Sequence, residues 1–300
     1  MKKVLVIAGP TASGKTDFAV ETALAYGGEI ISGDSIQVYR GLDIGSGKVT
    51  PEEMRGVPHH LIDILNPDQQ YTVADFQRMA REKIDACAFP IICGGTGLYL
   101  KACLYDYEFA EENEESSVDP ELEKMSSDEL YEMLLQNDPV QAQKIHPHNR
   151  RRLLRSLTIL KRTGTAQSEL EKAQTHEAVY DMFIAGCTMD REVLYERIAG
   201  RVRGMMKAGL EEEVRGLLDQ GYTFESPGMR GIGYQEWKPY FAGTATLQET
   251  EEAIVLHSRH YAKRQYTWLN HQMPVHWFEA GNPEDRQRMK EEIERWKNQN

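Results

Sequence analysis

No apolar run in this 300-residue chain approaches the roughly 18 residues that a bilayer-spanning helix requires, so an embedded membrane protein is not expected. Its four cysteines, Cys87, Cys93, Cys103 and Cys187, form no Cys-x-x-Cys pair and have no histidines at zinc-ligand spacing. That pattern favours buried or free thiols in a reducing compartment over a zinc site. Positive charge is in deficit: 35 Lys and Arg against 47 Asp and Glu give a net charge of -12 and a pI of about 5.3. Indiscriminate nucleic-acid binding needs clustered cations, so any such site here must be local. No internal repeat is visible. Met1-Lys2-Lys3 has the basic character of a signal-peptide start, but Val4 to Ala8 is short and runs straight into a glycine loop, which reads as a buried strand of a cytoplasmic protein.

What is present is ordinary for a soluble globular protein: 40% hydrophobic and 27% charged residues, with a mean hydropathy of -0.57. The length exceeds one typical compact domain. Short β-branched runs at Val4 to Ala8, Glu29 to Ser32, His60 to Leu65, Pro90 to Cys93, Met182 to Cys187 and Pro274 to Phe278 predict strands. Helical stretches such as Thr16 to Ala25 and Val73 to Ala86 lie between them, so the fold class is α/β with a parallel sheet covered on both faces. Glu108 to Glu123 holds eight acidic residues and no base, the mark of a solvated linker. Ser127 to about Gln174 is helix-like, and Val193 to Gly221 predicts a long helix or a helix pair. The expected division is a core of residues 1–113 and 181–300 with a helical insertion domain at 114–180.

Gly9-Pro10-Thr11-Ala12-Ser13-Gly14-Lys15-Thr16 fits G-x-x-x-x-G-K-[ST] between a predicted strand and a predicted helix, the context this phosphate-binding loop requires. It implies a P-loop NTPase-like core. Glycines let backbone amides wrap a phosphate at a helix N-terminus, Lys15 reaches the outer oxygens, and Thr16 offers a hydroxyl to Mg2+. The loop does not say which bond breaks. Asp34 follows the second strand, at the edge where ligands of open α/β sheets gather, although Asp and Ser also favour caps and turns. A P-loop ATPase would end a further apolar strand in a metal-binding Asp, whereas Pro90 to Gly97 ends in glycines and Thr96; Asp63 is an alternative.

Together with this loop, Asp34-Ser35, Tyr39-Arg-Gly-Leu-Asp43-Ile-Gly45, His59-His60-Leu61-Ile-Asp63, Gly94-Gly-Thr-Gly-Leu-Tyr99, Arg191 to Arg201, Arg230-Gly-Ile-Gly-Tyr234 and Ala262-Lys-Arg-Gln-Tyr-Thr-Trp-Leu269 resemble tRNA dimethylallyltransferase of the short bacterial type, over nearly the whole chain. The resemblance implies transfer of a dimethylallyl group from its diphosphate to the exocyclic amine of the adenosine on the 3′ side of the anticodon. It implies Asp34 as base, with Lys15, Thr16, Mg2+ and Arg201 on the pyrophosphate leaving group and Thr96 near the reacting centre. A surface role for Arg201 and a helix-capping role for Thr96 are the plain alternatives. The tRNA anticodon stem-loop is expected on Asp34, Ser35, Ile36 and Gln37, on Asn149, Arg150, Arg151, Arg152 and Leu153, on Arg230, Gly231, Ile232, Gly233, Tyr234 and Gln235, and on Lys263, Arg264 and Gln265. The family often has an arginine just after the acidic linker, where this chain offers only Lys124. A monomer is the expectation. The rival readings are a small-molecule kinase, which would need ATP, an adenylate prenyltransferase acting on a free nucleotide, and a non-catalytic RNA-binding module.

Overall fold

The computed structural model describes residues 1–107 and 119–299, and its contacts divide the chain into Met1–Tyr105 with Ala178–Asn300 and, as a second unit, Asp106–Glu177. The expected boundary after residue 113, with most of the acidic segment, lies outside the described residues.

The first unit runs β1 (Lys3–Ala8), α1 (Lys15–Tyr26), β2 (Glu29–Ser32), α2 (Pro51–Met54), β3 (His59–His60), α3 (Val73–Ala86), β4 (Pro90–Gly94) and α4 (Gly97–Leu104). The second unit follows with α5 (Pro120–Lys124), α6 (Ser127–Asn137), α7 (Pro139–Lys144), α8 (Arg150–Thr163) and α9 (Gln167–Ala173). The chain then returns to the first unit through β5 (Asp181–Thr188), α10 (Arg191–Lys207), α11 (Leu210–Asp219), a 3-10 turn at Gly228–Arg230, α12 (Trp237–Phe241), α13 (Leu247–Gln272), β6 (His276–Glu279) and α14 (Pro283–Asn298).

Among the described residues six strands form one sheet in the order β3-β2-β4-β1-β5-β6, with every neighbouring pair parallel. Strand alternation sends successive side chains to opposite faces. Leu5 and Ile7 of β1 join Phe18, Ala19, Phe278 and Ile293 in one core, while Val4 and Val6 join Phe76, Ile84, Leu100 and Leu269 in another. Both faces are therefore covered, which is why β1 is a continuous apolar run rather than an alternating one. A third cluster, including Val38, Leu42, Val202, Val214, Tyr234 and Trp237, joins the segment after β2 to α10 through α13.

One expectation is corrected. The run His60 to Leu65 is a strand only at His59–His60, because Leu61 (φ 60°) and Asp63 (φ 54°) turn into the left-handed region and the Asp63 carboxylate closes on Lys48 at 2.5 Å. Of the two alternatives expected for Val193 to Gly221, the helix pair is the one formed, broken at Gly209. The second unit packs around Leu122, Leu130, Leu134, Leu153 and Leu157.

Candidate active site

Helix starts in this chain are mostly sealed by side chains. Thr50 with Glu53, Thr72 with Asp75, Ser126 with Glu129 and Thr246 with Glu249 form capping boxes on α2, α3, α6 and α13. α1, like α4, α9, α11 and α12, has no side-chain cap, and its N-cap is Gly14 in the left-handed region. The amides of Gly14, Lys15 and Thr16 donate to no acceptor among the described residues. First-turn amides without partners, at the positive end of a helix dipole, form an anion site. The loop folds on itself through Ser13 N–H to Pro10 O (3.3 Å) and is tied to α13 by Thr11 N–H to Gln265 Oε1 (3.0 Å).

A cavity of about 400 Å³ opens on this loop at the C-terminal ends of β1, β2 and β4. Thr11, Lys15, Thr16, Asp34, Ser35, Ile36, Gln37, Arg201, Arg230, Gly231, Ile232, Gly233, Arg264 and Gln265 line it. Gly9, Pro10, Ala12, Ser13 and Gly14 shape the loop without lining the cavity.

Lys15 donates to Pro10 O at 3.3 Å, and burial lowers its pKa from the usual lysine value, with Arg201 nearby adding to the fall. An anion would relieve both effects. Arg201, on α10, reaches inward: Nη2 donates to Gly47 O at 3.0 Å and Nη1 to Thr11 Oγ1 at 3.4 Å. It is a cavity residue rather than a surface charge. Asp34 combines both readings of its position, since Oδ1 accepts the amides of Ile36 (2.8 Å) and Gln37 (3.2 Å) while Oδ2 has no partner among the described residues. Thr96 occupies the N-cap position of α4 without capping it; its hydroxyl lies 3.4 Å from that of Tyr261, which lines the cavity.

Other expected contacts resolve differently. Leu153 is fully buried in the core of the second unit, so its side chain is a packing element and not an RNA surface. Arg150 donates to Met125 O (2.5 Å) and Glu123 O (2.6 Å) within that unit, and Asn149 caps α8. Arg151 and Arg152 are exposed. Tyr234 is fully buried and gives its hydroxyl to Glu213 Oε1 at 2.7 Å, which removes its ring from any RNA surface, whereas Gln235 is exposed. Lys263 and Arg264 share an outer hollow with His260, Thr267 and Trp268. Asp63, the alternative metal carboxylate, is instead paired with Lys48, which also holds Asp43 at 2.5 Å.

The IPP transferase family model matches residues 37–272, and that of isopentenyl transferase matches residues 2–65. A tRNA dimethylallyltransferase of Anoxybacillus flavithermus is 47% identical over 282 residues, covering 93% of this chain and 90% of that one. That of Bacillus subtilis is 44% identical over 298 residues, covering 97% and 95%. This chain belongs to the tRNA dimethylallyltransferase family. Among solved structures, the tRNA isopentenylpyrophosphate transferase of Staphylococcus epidermidis aligns with a TM-score of 0.73 at 42% identity, over 99% of both chains. A eukaryotic dimethylallyltransferase acting on tRNA aligns with a TM-score of 0.82 at 28% identity, over 93% of this chain and 74% of that one.

In this family member the cavity also includes residues that sequence reasoning did not single out: Ser46, Gly47, Ser258 and Tyr261. The run Gly45-Ser46-Gly47 carried a signal, because adjacent small residues mark close backbone approach. A Cβ on Gly47 would lie 1.6 Å from Arg201 Nη2. Nothing local marked Tyr261, which is one of several aromatics on the long helix α13.

Proposed function

We propose that this protein transfers a dimethylallyl group from dimethylallyl diphosphate to the exocyclic N6 amine of the tRNA adenosine 3′-adjacent to the anticodon, releasing pyrophosphate. The observation that carries the reading is a single cavity that joins an anion cradle to an unpaired carboxylate oxygen: Lys15, Thr16, Arg201 and the free amides of α1 on one side, Asp34 on the other.

The amine nitrogen attacks the first carbon of the dimethylallyl group as the bond from that carbon to the diphosphate oxygen breaks, and the electron pair leaves with pyrophosphate. The N6 lone pair is delocalised into the purine, so removing its proton matters, and Asp34 Oδ2 receives it. Asp34 is held for this by the two amides on its other oxygen. Lys15, Arg201 and the loop amides stabilise charge developing on the leaving group. To reach Asp34 the adenosine leaves the anticodon-loop stack. Arg230 and Arg264 on the cavity rim, with Lys263 beside them, suit the phosphates that flank it.

The donor set suits a magnesium ion: Thr16 and Asp34 bring hard oxygens into the cavity beside the cradle, and the buried Ser13 hydroxyl of the same loop has no partner among the described residues. Thr16 would hold the ion, which when bound neutralises charge on the diphosphate oxygens.

A kinase reading is disfavoured by β4 ending at Gly94 and by the engagement of Asp63 with Lys48. No helix among the described residues is long and apolar enough to cross a membrane. A monomer in the cytoplasm is the reading that goes with a freely diffusing tRNA substrate. Calorimetry of dimethylallyl diphosphate with magnesium tests the cradle: Lys15→Ala is expected to bind at least tenfold more weakly, and unchanged affinity would remove the loop from the donor site.

A further inference from the structure

Glu213 is an acidic residue of α11 outside every motif that carried the family resemblance. Its carboxylate has no cationic partner among the described residues and is instead surrounded by donors. Oε2 accepts the amides of Asp43 (3.1 Å) and Ile44 (2.7 Å), while Oε1 accepts the amide of Gly45 (3.1 Å) and the hydroxyl of Tyr234 (2.7 Å). Three successive backbone amides converging on one anion form a nest, a geometry that fixes the backbone as firmly as it binds the charge. Tyr234 extends the grip by one residue, because its hydroxyl oxygen accepts the amide of Ser46 at 3.2 Å. A side chain at position 45 would leave no room for this, since its Cβ would lie 2.6 Å from the Tyr234 ring.

The gripped segment leads directly to the cradle. The Gly47 amide closes the turn on Ile44 O at 2.9 Å, and Gly47 itself lines the cavity. The Gly47 carbonyl accepts from Arg201 Nη2 at 3.0 Å and from Gln37 Nε2 at 3.2 Å. Among the described residues the Arg201 guanidinium has one other hydrogen-bond partner, Thr11 Oγ1 at 3.4 Å. We infer that Glu213 is a positioning residue for the leaving-group arginine: by fixing residues 43 to 46 it sets the place of the Gly47 carbonyl that aims Arg201 at the diphosphate. This rests on the leaving-group role given to Arg201 above. Glu213 itself touches no substrate.

The test is a double-mutant cycle on dimethylallyl diphosphate affinity and on kcat for transfer to tRNA, using full-length Glu213→Ala, Arg201→Ala and the double variant. Glu213→Ala is expected to weaken donor binding roughly tenfold and to lower kcat, with little further loss when Arg201 is already alanine. Losses that multiply independently would overturn the inference, because a purely structural residue weakens both backgrounds alike. If Arg201→Ala binds and reacts as wild type, the leaving-group assignment falls and this inference with it; additivity with an impaired Arg201→Ala sinks this inference alone. Should Glu213→Ala not fold, Tyr234→Phe removes one hydroxyl from the same grip while keeping the ring, and the same cycle is run with it. Its effect is expected to be smaller and equally dependent on Arg201, and independence from Arg201 would again refute the inference.

Discussion

Replacing Gly47 by alanine separates the fold from the chemistry. Gly47 sits at φ 57°, and an added Cβ would lie 1.6 Å from Nη2 and 2.5 Å from the central carbon of the Arg201 guanidinium. The left-handed backbone costs an alanine roughly 1–2 kcal/mol, which lowers Tm by about 2–8 °C in a unit of this size. The overlap is with the far end of a flexible side chain, so the arginine swings out and the core stays packed. What is lost is aim: the contacts with Gly47 O and Thr11 Oγ1 both go. Losing one preorganised group that stabilises developing negative charge slows a reaction by about 10²–10³-fold. Gly47→Ala is therefore expected to melt cooperatively about 2–8 °C below wild type, yet to match Arg201→Ala in steady-state transfer to tRNA. Wild-type kcat and KM in Gly47→Ala would refute the placement of Arg201 in the reaction.

Three further outcomes are expected. Asp34→Asn keeps an oxygen for the amides of Ile36 and Gln37 but cannot take a proton, so transfer should slow by about 10²-fold while tRNA and donor affinities stay near wild type; unchanged turnover would remove Asp34 from the mechanism. Burial holds the Lys15 pKa below its usual value, and a bound diphosphate favours the charged form and raises it again. Affinity is then full below the pKa of the free enzyme and falls as pH rises through it, at a pH short of the ordinary lysine value of about 10.4. Calorimetry across the alkaline range should show this fall in wild type and a flatter profile in Lys15→Arg, whose guanidinium stays protonated; identical profiles would contradict it. Leu153→Ala should destabilise the second unit by about 2–5 kcal/mol without altering tRNA affinity where it remains folded, whereas Arg151→Ala should reduce the salt slope of tRNA binding by about one; the reverse pattern would return Leu153 to the RNA surface.

The parts legible in the sequence were those with local causes. The glycine loop lies between a strand and a helix in both readings, and the apolar runs of β1, β2, β4 and β5 mark strands because they are buried on both faces. His60 to Leu65 misled because its apolar composition suits a strand while its backbone is bent by a distant demand, the pairing of Asp63 with Lys48. Asn149 to Leu153 looked like one basic surface, but helical geometry turns Leu153 into the core and Arg150 onto neighbouring carbonyls, leaving Arg151 and Arg152 outside. The inward direction of Arg201 depends on Gly47, 154 positions away, and the grip of Glu213 on residues 43 to 45 spans 168 to 170. Such pairings have no periodic signature. They arise only when α10 and α11 pack on the segment that follows β2.

A phosphate loop that serves a pyrophosphate leaving group in prenyl transfer to tRNA has no use for ATP. Purified protein with magnesium and unmodified tRNA would be given either dimethylallyl diphosphate labelled in the prenyl group or ATP labelled in its terminal phosphate. Label is expected to enter tRNA from the prenyl donor, with ATP left intact. Phosphoryl transfer or ATP hydrolysis, with no prenyl label in tRNA, would contradict it.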